Sequence, residues 1–261
     1  MSNFGLIGKN IEYSYSKKLH EAIGSKFSLD IHYDLIDCQT SMDLTRSITL
    51  LKEGFYRGLN VTIPYKETIM DYCEVLTEEA SSIKAVNTLY MKDGKLVGDN
   101  TDYYGFLKIL EFYHINLNQQ VVYILGSGGA SKSVGYALKT LGVKQVVISR
   151  KADAFDNNVL YKTYEFLDKL PKIDCIVNTT PIGTYPKIHQ MPVSKRIADK
   201  TNIVIDLIYN PKQTQLIKSV NFGINGAYML IGQAIKAQSI WQNIKLEETQ
   251  NIFDQLLEAL K

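Results

Sequence analysis

Residues 121–148 constrain this chain more than any other stretch. Val121-Val122-Tyr123-Ile124-Leu125 is an unbroken apolar run, the pattern of a strand covered on both faces. Gly126-Ser127-Gly128-Gly129 follows directly. Ala130, Val134, Ala137, Leu138 and Leu141 then recur at helical spacing, and Gly142 closes the pattern. A second apolar run at 145–148 completes a strand–helix–strand unit. Further strand-like runs at 173–177 and 203–205 extend the alternation, which predicts an α/β fold with a doubly wound parallel sheet of Rossmann type. In such a unit the glycines between strand and helix carry chemistry. Gly126 permits the tight turn, and Gly128 lets backbone N–H groups approach a pyrophosphate at the positive end of the helix. Ser131, at the third position of the pattern, is small enough for close packing of helix on strand. Gly126, Ser127, Gly128, Gly129 and Ala130 are therefore candidate dinucleotide-binding residues; the competing reading is a glycine-rich surface turn.

The end of the second strand bears on which dinucleotide. A carboxylate there would hold a ribose 2′-hydroxyl, but this chain has Ser149-Arg150-Lys151. Two cations and a hydroxyl suit a 2′-phosphate through charge-assisted hydrogen bonds, so NADP is expected over NAD. Arg150 and Lys151 as ordinary solvated charges is the alternative.

The remaining sequence sets outer limits. At 261 residues the chain has room for one to two domains of about 150 residues each. Its 29 basic and 27 acidic side chains nearly cancel, which argues against a dedicated nucleic-acid binder. Cys38, Cys73 and Cys175 are far apart and form no metal-ligand spacing, so reduced thiols and no metal are expected. Residues 219–235 carry no charge but are too short and too interrupted to span a membrane, and read as a loop feeding a buried helix. The start of the chain lacks a signal-peptide pattern. A cytoplasmic protein without a membrane partner is the expectation.

The first hundred residues alternate short strands and helices. Strands are expected at 4–7, 31–36 and 58–63, with helices at 15–29, 42–52 and 74–83. A hairpin is expected around Asp93-Gly94, and a helix at 103–113. A tail helix is expected over 247–260, with Glu247 and Glu248 in its first turn. The pattern changes from mixed to Rossmann-like near residues 100–105, where a domain boundary is expected.

Several short motifs recur together in one order. They are Ser14-Tyr15-Ser16; Asn60-Val61-Thr62-Ile63-Pro64-Tyr65-Lys66; Ala85-Val86-Asn87-Thr88; Gly98-Asp99-Asn100-Thr101-Asp102; the glycine turn; Asn178-Thr179-Thr180-Pro181-Ile182-Gly183; Asp206-Leu207-Ile208-Tyr209-Asn210-Pro211; and Gly226 through Met229 to Gln233. In this order and spacing the chain resembles the shikimate dehydrogenase family over nearly its full length. The resemblance implies reversible NADPH-dependent reduction of 3-dehydroshikimate to shikimate. It implies two domains, residues 1–101 with 234–261 for substrate binding and catalysis and residues 104–226 for NADP, with the reaction in a cleft between them.

By the same resemblance, Lys66 and Asp102 are the catalytic pair. Hydride reduction of a ketone creates an alkoxide that needs a nearby proton donor, and an ammonium beside a carboxylate can serve. Ser14, Ser16 and Tyr209 would hold the substrate carboxylate, while Thr62, Lys66, Asn87, Thr101, Asp102 and Gln233 would meet its ring hydroxyls. Leu207 and Gly226 would lie on the nicotinamide side. Residue by residue, plainer readings stand beside these: Lys66 as a solvated helix-start lysine, Asp102, Thr101 or Ser16 as helix caps, Gln233 bonded to its own helix. Two other functions stay open at this point, a quinate/shikimate dehydrogenase of relaxed specificity and a non-catalytic NADP-binding sensor. Either a monomer or a homodimer is compatible with the sequence.

Overall fold

In the computed structural model, which describes residues 2–150, 155–156 and 159–260, strands gather into two sheets. The first holds β1 (Ser2–Gly8), β2 (Ile31–Asp37), β3 (Gly58–Val61), β4 (Val75–Leu76), β5 (Thr88–Lys92) and β6 (Lys95–Asp99), in the order β2-β1-β3-β5-β6-β4. The second holds β7 (Val121–Leu125), β8 (Lys144–Ile148), β9 (Phe155–Asp156), β10 (Val159–Lys162), β11 (Ile173–Asn178), β12 (Thr201–Asp206) and β13 (Phe222–Asn225), in the order β13-β12-β11-β7-β8-β10-β9. The chain divides accordingly into two units, Met1–Gly105 with Leu230–Lys261, and Phe106–Met229.

In the first unit β1 runs parallel to β2 and β3, while β5 is antiparallel to both β3 and β6. The carboxyl ends of β1, β3 and β6 therefore share one edge of the sheet with the amino end of β5. The helices Ser16–Phe27 and Ser41–Lys52 bury Leu19 and Ile23, and Leu44, Ile48 and Leu51, respectively. Trp241 stacks on Phe4 with ring centroids 5.0 Å apart and donates its indole N–H to the Leu89 carbonyl at 3.1 Å. A Cβ on Gly58 would lie 2.1 Å from the Trp241 ring, so only glycine leaves room for the indole there. This contact seats the last turns of the helix Ala227–Gln242 on the sheet.

In the second unit β7, β8, β10, β11, β12 and β13 pair in parallel, and among the described residues only the β9–β10 pair is antiparallel. The chain leaves β7 toward β8 on one side and returns to β11 on the other, so the topological switch lies beside β7. Ile124, Leu125, Ile148, Ile176, Val177, Val204 and Ile205 are fully buried in this sheet.

Three expectations need correction. Residues 74–83 are not one helix. A 3₁₀ helix (Thr68–Tyr72) precedes β4, and a helix covers only Glu78–Ile83. Glu74 is held in the strand pairing, since its N–H donates to the Leu96 carbonyl and its carboxylate accepts from the Leu96 N–H. Thr77 then starts the helix by accepting from Ala80 N–H. The tail helix spans Gln250–Ala259 and is capped by Thr249, so Glu247 and Glu248 precede it. Glu248 instead accepts a hydrogen bond from the Tyr104 hydroxyl. The stretch 219–235 contains a strand, β13, as well as the buried helix. Gly223 allows that strand to lie against Ile217, which a Cβ would approach to 3.0 Å. Among the described residues no helix is long and apolar enough to cross a membrane.

Candidate active site and cofactor-binding edge

The topology of the first sheet brings the predicted substrate-side residues to one edge. Ser14 and Ser16 follow β1, Thr62 and Lys66 follow β3, Asn87 precedes β5, and Thr101 and Asp102 follow β6. After β3 the chain turns sharply, with Thr62 N–H donating to the Ile7 carbonyl and Tyr65 N–H to the Thr62 carbonyl. The Lys66 carbonyl is then pinned by Val86 N–H at 2.7 Å. This anchors the lysine backbone to the segment that carries Asn87.

Lys66 Nζ donates to Asp102 Oδ2 at 2.5 Å, and the two side chains are 17% and 9% exposed. Lys66 is thus not a solvated lysine. The other carboxylate oxygen of Asp102 accepts from Asn87 Nδ2 at 2.9 Å. Asp102 is the first residue of the helix Asp102–Phe112 rather than its cap. Its N–H is satisfied by Asn100 Oδ1, and Asn100 is itself tied to the Ala85 carbonyl. Thr101 donates its N–H to Asn87 Oδ1 at 2.7 Å and accepts from Asn87 Nδ2 at 3.0 Å. Lys66, Asn87, Thr101 and Asp102 therefore form one connected cluster whose charged atoms are held by directed, charge-assisted bonds.

Ser14 and Ser16 are adjacent, with their hydroxyls 3.1 Å apart. The helix begins at Ser16, whose N–H is met by the Ser14 hydroxyl at 3.2 Å, so Ser14 rather than Ser16 satisfies a helix-start donor. Thr62 lies close to this segment. A Cβ on Gly8 would approach both Thr62 and Ile11 to 2.5 Å, and Ile11 accepts from Ser14 N–H. Gln233 is 8% exposed and donates Nε2 to the Leu230 carbonyl at 2.9 Å, the plain helix-internal bond. Neither Ser14, Ser16 nor Gln233 is bonded to the Lys66–Asp102 cluster. Tyr209, the remaining predicted substrate residue, is partly buried in the second unit, in the loop after β12.

In the second sheet the predicted cofactor residues follow the carboxyl ends of parallel strands: Gly126 to Ala130 after β7, Ser149 and Arg150 after β8, Leu207 after β12, Gly226 after β13. Lys151 lies outside the described residues. Gly126 has φ +104°, and a Cβ there would lie 2.8 Å from Thr179 Oγ1, so the turn itself requires glycine. Gly128 differs, because a Cβ on it would meet no protein atom within 4 Å. Folding gives this glycine no packing reason. A bare backbone at the start of the helix Gly129–Thr140 fits close approach of a pyrophosphate, so the residues present suit a dinucleotide. Ser131 is buried. Ser149 N–H donates to the Lys162 carbonyl, and Arg150 is exposed. Gly226 has a packing role of its own, since a Cβ there would lie 2.0 Å from the Leu207 carbonyl oxygen.

One group was assigned no role from the sequence. Asp206, at the end of β12, accepts from Asn178 Nδ2 at 2.9 Å, from Thr214 Oγ1 at 2.6 Å and from Ile208 N–H at 3.2 Å. Burial pushes its carboxyl up to about 6 despite those three donors. Asn178 also accepts from the N–H and hydroxyl of Thr180, so this cluster ties the loops after β11 and β12 together at the cofactor edge. Asn178 and Asp206 are the last residues of β11 and β12 and the first residues of two of the motifs quoted above.

Comparison with known proteins is consistent with this geometry. Residues 6–89 match the family described as shikimate dehydrogenase substrate binding domain. A curated relative, shikimate dehydrogenase (NADP(+)) of Clostridium beijerinckii, is 40% identical over 97% of this chain and 97% of its own length. The crystal structure of shikimate dehydrogenase 1 from Peptoclostridium difficile superposes with a TM-score of 0.91 at 36% identity, covering 100% of this chain and 98% of that one. A Thermus thermophilus shikimate 5-dehydrogenase solved in complex with NADP(H) and shikimate gives a TM-score of 0.87 at 25% identity, covering 99% of this chain and 100% of that one.

Proposed function

The chain belongs to the shikimate dehydrogenase family, and from that premise we infer that it catalyses the reversible, NADP-dependent reduction of 3-dehydroshikimate to shikimate. The observation that carries the reading is the Lys66–Asp102 contact on the same sheet edge as the hydroxyl-bearing Ser14, Ser16 and Thr62. When bound, the nicotinamide would supply or accept the hydride. The protein's own contribution is to hold the ring and manage one proton.

In the reductive direction Lys66 Nζ delivers a proton to the oxygen that becomes the new hydroxyl, while Asp102 Oδ2 keeps the ammonium aimed. In the oxidative direction the same nitrogen takes the hydroxyl proton. Thr62, Asn87, Thr101 and Gln233 read the ring hydroxyls, and a site of this kind rejects analogues that leave buried polar atoms unpaired. Ser14, Ser16 and Tyr209 hold the carboxylate. Gly126 to Ala130 would receive the pyrophosphate, Ser149, Arg150 and Lys151 the 2′-phosphate, and Leu207 and Gly226 would lie on the nicotinamide side. The unit of residues 1–105 and 230–261 supplies the substrate residues other than Tyr209, and the unit of 106–229 supplies Tyr209 and the cofactor residues. The protein acts in the cytoplasm as a monomer or homodimer.

The test is NADPH formation by purified protein with shikimate and NADP, run against quinate and NAD in all four combinations. Turnover confined to shikimate with NADP is expected. Equal rates with quinate or NAD would replace the reading with a relaxed-specificity enzyme, and cofactor binding without turnover would replace it with a sensor.

A further inference from the structure

We propose that Thr88 is a positioning residue for the Lys66–Asp102 pair, acting through Asn87 as the inner member of a buried hydrogen-bond chain that begins at Tyr33. The proposal rests on the catalytic role given above to Lys66 and Asp102.

The direction of every bond in the chain is determined by groups that can play only one role. Thr101 N–H can only donate, so the atom of Asn87 that it meets at 2.7 Å is the amide oxygen. Asn87 Nδ2 must then face Asp102 Oδ1. Thr88 Oγ1 donates to the same amide oxygen at 2.9 Å, a closer contact than the 3.3 Å from Thr101 Oγ1, and so helps to fix the tilt of the side chain. With its hydrogen committed there, the Thr88 hydroxyl can only accept from its other neighbours, and Asn60 Nδ2 lies 3.3 Å away, as does Thr101 Oγ1. The other hydrogen of that amide goes to the Asn87 carbonyl at 3.1 Å, an acceptor only, which settles the orientation of Asn60. Its oxygen is left to accept from the Tyr33 hydroxyl at 2.8 Å.

The chain thus runs in one sense, from Tyr33 through Asn60, Thr88 and Asn87 to the carboxylate of Asp102. Aligned donors polarise one another toward the negative end. Tyr33 and Thr88 are fully buried and Asn60 is 4% exposed, so bulk water has little access to replace a missing link. The Tyr33 ring is clamped by the His20 imidazole, stacked at 4.1 Å, and burial raises its hydroxyl far above the ordinary range, so it stays a donor. The chain depends on strand register, because Asn60 of β3 lies opposite Thr88 of β5.

Thr88→Val keeps the shape and removes the hydroxyl. It is expected to lower kcat roughly 10- to 100-fold, the order seen when a reacting group is slightly misplaced, with the KM for NADP within about twofold of the parent. Thr88→Ser restores the hydroxyl and should recover most of kcat. Tyr33→Phe, two links farther out, should lower kcat less than Thr88→Val. A readout free of cofactor and turnover is the rate of Lys66 acylation followed by mass spectrometry, which should rise in Thr88→Val and return in Thr88→Ser. Unchanged kcat and unchanged Lys66 acylation in Thr88→Val would overturn the proposal, as would a loss that Thr88→Ser fails to recover. If Thr88→Val does not fold, Tyr33→Phe decides, and parental kcat and acylation there overturn it. Failure of the parent protein to oxidise shikimate would instead remove the functional reading, and the acylation rates alone would then decide whether Thr88 orders the pair.

Discussion

The two functional edges of this molecule are built on opposite principles. In the first unit the edge is made of side chains: Lys66, Asp102, Asn87, Thr88, Asn60 and Tyr33 bond to one another in a nearly dry interior. In the second unit the glycine turn presents backbone, and at Gly128 a Cβ would meet nothing of the protein. The difference matches what each edge is proposed to recognise. A ring hydroxyl needs a donor or acceptor at one point, which only a locked side chain provides. A pyrophosphate presents diffuse negative charge that a row of N–H groups and a helix terminus can meet. Unit 1 should therefore fail when a polar atom is removed, and unit 2 when a carbon is added.

The largest expected effect is at Lys66. Lys66→Ala should reduce kcat by about 10²- to 10⁴-fold with shikimate binding largely kept, measured as steady-state NADPH formation. Near-parental kcat would break the contrast at its strongest point.

Acid should separate the units next. His20 is fully buried in unit 1, and burial lowers it from 6.5 to about 3. Unfolded chains bind that proton near 6.5 while the fold refuses it until about 3, so stability is lost as pH falls through this window. The full loss is about 5 kcal/mol, from roughly 1.4 kcal/mol per pH unit. Asp206 in unit 2 has the opposite sign. Its carboxyl holds a proton up to about 6 in the fold against 3.8 outside it, so its contribution improves as pH falls from 6 toward 3.8. Hydrogen exchange followed from neutral to acidic pH should show the β1–β3 region losing protection before the β7–β12 region, and His20→Gln should narrow the gap.

The glycine turn gives a finer test. Gly126→Ala places a side chain at φ +104° against Thr179, and should cost about 1–3 kcal/mol in thermal unfolding. Gly128→Ala should leave stability within about 0.5 kcal/mol yet raise the KM for NADP, because the added methyl would occupy only the space proposed for the pyrophosphate. Equal losses of stability in the two variants would show that both glycines serve the fold alone. The smallest effect is expected at Arg150, which is exposed: Arg150→Gln should reduce the preference for NADP over NAD by about tenfold, with thermal stability unchanged.

Much of the architecture was legible because it is local. The β7 run at 121–125 reads off the apolar pattern residue for residue, since a strand buried on both faces admits little else. The helix after it and the hairpin at Asp93-Gly94 are similarly written in short-range periodicity and turn chemistry. Where a segment's conformation is set by a distant partner, the pattern misled. Glu74 looks helical, but Leu96 holds it in a ladder. Ser16 looks like a cap, but it is the first helical residue, and its N–H is met by the Ser14 hydroxyl. Tyr33, Asn60 and Thr88 gave no signal as a group, because they are spread over 56 residues and meet through the register of β2 and β3 on β1 and of β5 on β3.

By itself the sequence determined the kinds of group available and the order in which strands deliver them, because periodicity and glycine placement act over a few residues. Only the tertiary structure decided which donor meets which acceptor. That depends on register, burial and the exclusion of water, and these exist only once strands far apart in the chain lie side by side.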